Sequence, residues 1–377
     1  MTPDLAKHRF FEPWTDPESG VTSYLLKERV APIQRGLYYV TPSISADGRW
    51  LWFSAAFPPS HQTFLAAACL DPAEPQVRWF PQTARGGNPL VLPEGDAVYV
   101  PIEDGIFRLA FEGAVEPVLR MPADLLGGRR LFSLVTDLTV SADGRHFLLD
   151  SHIGGRWLIA LGEVATGKVV PLRWFARGHN HAAFSPADAD LFLVTQGPYN
   201  DPITGDKVDM DVRMWLMDRG LSRYEPLFGD LWFNHNCMSC HEWWTADGRI
   251  QWCDYDTGVW ECDPNAVPRT RSLVWPRPMC HGQCDRAGRY LCGDQNPYHR
   301  TGDRPCRVFF FDRSSGRDVA IVSAMRLPDL HHSEWRAYHL DPHPHFSPDG
   351  RLVVYTTTSR GTVDVAIAPV EGILSRL

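Results

Sequence analysis

The sequence predicts an all-β chain folded as a seven-bladed β-propeller. Three observations carry this: a recurring Asp-Gly turn, an apolar or alternating run after each copy, and a period of roughly 40 to 60 residues. In chain order, SADGR stands at Ser45–Arg49 and Ser141–Arg145, TADGR at Thr245–Arg249 and SPDGR at Ser347–Arg351. Weaker copies fill the intervals: LPEGD at Leu92–Asp96, SPADAD at Ser185–Asp190 and DRAGR at Asp285–Arg289. An Asp-Gly pair supplies the positive φ of a tight hairpin. The runs that follow, WLWFSAAF, AVYVP, HFLLD, LFLVTQ, IQWCD, YLCGD and LVVYTTT, are strands. A β-sandwich would space its turns more closely and less regularly.

Composition agrees with one folded unit. The 377 residues are 44% hydrophobic and 22% charged, without a low-complexity break, so the expectation is a single propeller domain over 1–377. Blades pack mainly on their neighbours, so chain length alone would overcount the domains. The segments around Gly20–Leu26 and Thr362–Val370 are candidates to pair in one blade and close the ring. Fourteen tryptophans suit both blade packing and sugar stacking.

The N-terminal MTPDLAKHRFFEPW has no apolar export-signal core, and no run of eighteen apolar residues follows, which predicts a soluble, cytoplasmic protein. A net charge of −8 without a basic cluster argues against nucleic acid as a partner. Cys237-Met-Ser-Cys240-His241 matches the haem-attachment pattern, yet such attachment follows export. A zinc site from Cys237, Cys240, Cys280 and Cys284 is a second reading. Buried free thiols in inner strands are the favoured one.

Histidines recur just before the turns: His181 in HAAFSP, His241 in HEWWTADG, His281 in CHGQCDRAG, and His343 with His345 in HPHFSPDG. Equivalent positions in successive blades share a radius, so these side chains are expected to converge at one end of the central channel. His343 and His345, spaced two apart between prolines, would leave one face of a strand together and suit a metal ion.

HNHAAFSPADADLFLVTQGP, VRMWLMD, HEWWTADGRI and DPHPHFSPDGRLVVYTT resemble the oligogalacturonate lyase family, polysaccharide lyase family 22. DPESGVTSYLL and LYYVTPSISADGRWLWF resemble that family's opening, so the resemblance spans nearly the whole chain. It implies a propeller that cleaves acidic pectin oligosaccharides by β-elimination, with a manganese ion held by three His and a Gln. On that resemblance His281, His343 and His345 are metal ligands, and His339 in HLDPHPH stands near the position of the family Gln. An imidazole-rich set suits zinc or iron as well as manganese. The resemblance also makes His241 the base and Arg213 its cationic companion, while His181 is a candidate for substrate binding.

Uronate cleavage explains the need for such groups. Removing the C5 proton places charge next to an existing carboxylate, which a divalent cation offsets, and a neutral His can accept the proton. Two other readings share the scaffold: a metalloenzyme for a different uronate glycan, and a non-catalytic binding propeller.

Overall fold

The computed structural model describes residues 3–377 apart from 85, 201–203, 209, 211, 230–232, 235–236, 297–304, 326–337 and 339. For 199, 200, 233, 234, 237 and 238 it describes backbone only. Seven antiparallel sheets stand in a ring, each beginning at its inner strand. The inner strands are Ile33–Arg35, Leu90–Val91, Leu131–Ser133 with Thr139–Val140, Gly178–Phe184, Cys237–Trp244, His281–Cys284 and His345–Phe346. The seven-bladed expectation from the turn repeats therefore holds.

The turns explain the repeat chemically. In SADGR the Ser45 hydroxyl donates to Asp47 Oδ1 at 2.5 Å, and that oxygen accepts the Arg49 N–H at 3.0 Å. The Ser141–Asp143 and Ser347–Asp349 pairs repeat this at 2.5 and 2.6 Å. The glycine that follows sits at φ +75°, +72° and +70° respectively, and its N–H returns to the carbonyl of the turn's first residue. Ser, Asp and Gly thus each have a distinct task in closing the inner strand onto the second.

The last blade is built from both ends of the chain. Leu352–Thr357 and Asp364–Pro369 pair beside His345–Phe346, and Thr22–Leu26 adds next, with Tyr24 opposite Ile367 and Leu25 opposite Ala366. Phe11–Thr15 adds a fifth strand outside it. This pairing closes the ring and removes a sheet edge that would otherwise be exposed.

Tryptophans stitch neighbouring blades. Trp52, wholly buried, packs with Val98 and Val100 of the second blade and donates its Nε1–H to the Gly95 carbonyl at 2.9 Å. Trp244 of the fifth blade donates to the Ala183 carbonyl of the fourth at 2.9 Å. Each such ring contributes at least about 2–3 kcal/mol through buried apolar area. The eight described cysteines, among them Cys240, Cys280 and Cys284, are buried free thiols, as expected. Burial pushes the Cys240 thiol up to about 12. Among the described residues no helix is long and apolar enough to cross a membrane.

Candidate metal centre and active site

The position four residues before each turn is the constructional unit of the channel. It holds Thr41, Asn88, Asp137, His181, His241, His281 and His343 in the seven blades. These side chains meet from blade to blade. Asn88 donates to Asp137 at 2.8 Å, and Asp137 pairs with His181 Nδ1 at 2.8 Å. The His241 and His281 ring centres are 4.1 Å apart, and those of His281 and His343 are 4.3 Å apart. Tyr38, carried in by the interruption after Arg35, lays its ring 4.9 Å from that of His343 and 6.1 Å from that of His181.

Local backbone geometry aims three of these imidazoles. His181, His241 and His343 have φ of +47°, +52° and +46°. The register between inner and second strand slips between Asn180 and Ala183, and again between Cys240 and Trp243. Such bulges re-aim a side chain at a cost of about 1–3 kcal/mol per residue, met by the surrounding ladder. The same kink corrects the expectation for His343 and His345. The seventh inner strand starts only at His345, so the alternation that would put both rings on one face does not extend to His343.

His281, Asp341 and His343 offer ligand atoms within 4.8 Å of one another, and all three are buried. Asp294 accepts from His281 Nδ1 at 3.0 Å, which leaves the Nε2 lone pair of the neutral ring for a cation. Asn296 donates to Asp341 Oδ1. Two imidazoles and a carboxylate, with a supporting polar group behind His281 and behind Asp341, fit a divalent transition ion.

His345 lies outside that group. Its Nδ1–H donates to the His343 carbonyl at 2.8 Å and its Nε2 accepts the Ser43 N–H at 3.1 Å, so both ring nitrogens are engaged. Burial holds its pKa down to about 4. His339 lies outside the described residues.

His241 Nδ1 donates to the Cys280 carbonyl at 2.5 Å and lies 2.9 Å from the Tyr255 hydroxyl. A ring protonated at Nδ1 carries its basic lone pair on Nε2. Arg213 is buried and forked onto Glu242, Nε to Oε2 at 2.9 Å and Nη2 to Oε1 at 3.1 Å. Burial disfavours its charge, but Glu242 outweighs burial and the guanidinium pKa rises. Burial likewise opposes a charged His181, yet the Asp137 carboxylate prevails and raises its pKa. His181 lines a cavity of about 440 Å³ with Tyr39, Asp137, Glu242, Trp243 and Gln283, opening among the Asp-Gly turns.

The arrangement thus brings His181, His241, His281 and His343 to one ring, with Arg213 next to it through Glu242. Sequence reasoning missed Asp137, Asp294 and Asp341. The first two carried a signal. Asp137 obeys the four-before-the-turn rule, and Asp294 stands nine after its turn begins, as do Asp150 and Asp254. Asp341 follows no such offset.

No protein-family model matches the chain, and no curated protein matches it in sequence. Solved structures do match its fold. An oligogalacturonate lyase in complex with manganese superposes with a TM-score of 0.75 at 15% identity, covering 95% of this chain and 96% of that one. An oligogalacturonate lyase from Vibrio parahaemolyticus also gives 0.75, at 14% identity over 98% and 97%. The β-propeller domain of a Myceliophteria thermophila Cps50 (Swd1) protein gives 0.51 at 9% identity. The chain is therefore a β-propeller with the architecture of the oligogalacturonate lyases. More particularly, the likeness extends over almost the whole of both lyase chains.

Proposed function

We propose that this protein is a metal-dependent lyase that cleaves uronic-acid-containing oligosaccharides, oligogalacturonate-like, by β-elimination. The observation that carries the reading is the juxtaposition of a two-His, one-Asp group with a separate imidazole whose basic nitrogen is fixed by a backbone carbonyl. The fold likeness to two oligogalacturonate lyases supports it.

His281, Asp341 and His343 would hold the cation, manganese by analogy with the lyase complex, with zinc or iron compatible with the same donors. When bound, the cation supplies a Lewis acid for the substrate carboxylate. His241 Nε2 takes the C5 proton. The electron pair of that C–H bond forms the C4–C5 double bond as the C4–O bond breaks, and the departing oxygen acquires a proton. Tyr255 and the Cys280 carbonyl hold the imidazole in the required tautomer. Arg213, forked onto the residue next to the base, is its cationic companion. His181, its charge favoured by Asp137, is suited to an acidic sugar. The test is to incubate the purified protein with oligogalacturonates and other uronate oligomers and follow the ultraviolet absorbance of the 4,5-unsaturated product. No product with manganese, zinc or iron present would overturn the reaction assigned here.

A further inference from the structure

Arg35 ends the first inner strand, opposite Ser54, and is only 9% exposed. Burying a guanidinium costs several kcal/mol unless a counter-charge and hydrogen bonds offset it, so proteins pair such groups. Arg213 shows the paired case, forked onto Glu242. Arg35 does not follow it. Nη1 makes one long contact of 3.4 Å to the Gly36 carbonyl, and Nε is buried without a hydrogen bond. Among the described residues no carboxylate comes within ion-pairing distance of it.

The guanidinium lines a cavity of about 180 Å³ bounded by the first three blades. Ser54, Thr63, Asn88 and Thr136 add polar atoms to its wall, and Gly86 and Gly87 line it without side chains. A Cβ on Gly86 would come within 2.8 Å of the Thr83 carbonyl, so the wall there admits no side chain without a shift. Asn88 and Thr136 tie the cavity to the channel ring, since Asn88 holds Asp137 and Thr136 is its neighbour in the chain. Arg35 also feels Asp341 electrostatically, and Asp341 belongs to the candidate metal group. The cavity is thus within electrostatic reach of that group and offers a planar cationic fork that, among the described residues, has no carboxylate paired with it.

We propose that Arg35 is a carboxylate-binding residue, the anchor of a subsite in this cavity that takes a uronate carboxyl group of the acidic sugar substrate. The proposal rests on the lyase reading for the identity of the acid, while the anion preference stands on Arg35 itself. A guanidinium suits this role because it binds a carboxylate through two parallel N–H donors and cannot be neutralised by burial at working pH.

The test uses calorimetric titration of the metal-loaded protein with galacturonate, which has no glycosidic bond to break, and with galactose, its neutral counterpart. Wild type is expected to bind galacturonate at least tenfold more tightly than galactose. Arg35→Met should weaken galacturonate binding about tenfold and leave galactose binding unchanged, and Arg35→Lys should restore part of the loss. Because Arg35→Met removes an uncompensated buried charge, its thermal midpoint without ligand should equal or exceed that of wild type. An Arg35→Met protein that keeps the preference overturns the proposal, and so does a wild type that binds neither sugar. A wild type that binds galacturonate through Arg35 yet cleaves no uronate oligomer sustains the subsite and removes the lyase reading.

Discussion

Asp294 grips two blades at once: one carboxylate oxygen accepts from His281 Nδ1 at 3.0 Å and from the backbone N–H of His343 at 3.0 Å. The residue is fully buried. A single acid thus sets the tautomer of one candidate ligand and the backbone position of another. Asp150 has an equivalent place in the third blade, accepting the N–H of Thr136 at 2.6 Å and of Ala182 at 3.2 Å, the chain neighbours of Asp137 and His181. In these two blades an aspartate of the second strand, nine residues after the turn begins, fixes backbone next to or within the channel ring.

Asp294→Asn is accordingly expected to lower metal affinity by about 10- to 100-fold without unfolding the protein. A neutral amide oxygen is a weaker acceptor than a carboxylate oxygen, and the amide NH₂ end cannot accept from His281 Nδ1 as Oδ1 now does at 3.1 Å. Competition for the metal with a chelator of known affinity, together with circular dichroism, measures both halves. Unchanged affinity would show that Asp294 does not orient the site.

His343→Ala should remove the bound metal, whereas His345→Ala should retain it and lose stability. The family resemblance makes both residues ligands, but His345 already uses both ring nitrogens inside the protein. Losing two buried hydrogen bonds and leaving a Ser43 N–H unsatisfied costs on the order of 1–3 kcal/mol. Elemental analysis and urea denaturation separate the two effects. Equal metal loss in both variants would return His345 to the ligand shell.

The fold was legible because its repeat has a chemical signature. Ser or Thr, Asp and Gly close four of the turns through the same hydroxyl-to-aspartate bond, and three weaker copies at the same period bring the number to seven blades. The ring of histidines was legible for the same reason, since equal offsets in equivalent blades give equal radii. Asp137 could have been found by applying that offset to the third copy, but a lone aspartate carries no metal-binding appearance. Asp341 could not, because its place depends on a kinked backbone at His343 that local sequence does not specify. The HPH spacing misled about shared faces for the same reason: alternation presumes a strand, and a left-handed residue interrupts it.

Acid sensitivity should come partly from His179, away from the metal group. It is buried, stacked on Phe175 with ring centres 3.6 Å apart, and hydrogen-bonded to the Arg177 carbonyl and the Tyr224 hydroxyl. Burial holds its pKa down to about 4, below the value near 6.5 of an unfolded chain. Between those values the unfolded state binds a proton that the native state refuses. Its contribution is therefore intact above pH 6.5 and lost as pH falls toward 4, by at most about 3 kcal/mol. Urea midpoints measured from pH 7.5 to 4 should fall for wild type and less steeply for His179→Gln. Parallel profiles would exclude this residue as a source of the acid loss.

His241→Ala is expected to abolish most turnover while leaving metal content at the wild-type level. The base must present a lone pair toward the substrate, and the Cys280 carbonyl accomplishes this by holding the proton on Nδ1 at 2.5 Å. Removing a positioned general base costs typically 10²- to 10⁴-fold in rate. Tyr255→Phe should cost far less, because the carbonyl alone still fixes the tautomer. Steady-state rates on oligogalacturonate with metal analysis of the same samples distinguish a base from a ligand: a His241→Ala protein that loses its metal makes His241 part of the metal shell, since its ring lies only 4.1 Å from that of His281. One that retains both metal and full activity would move the proton-accepting role to another ring residue, with His181 the next imidazole to be tested.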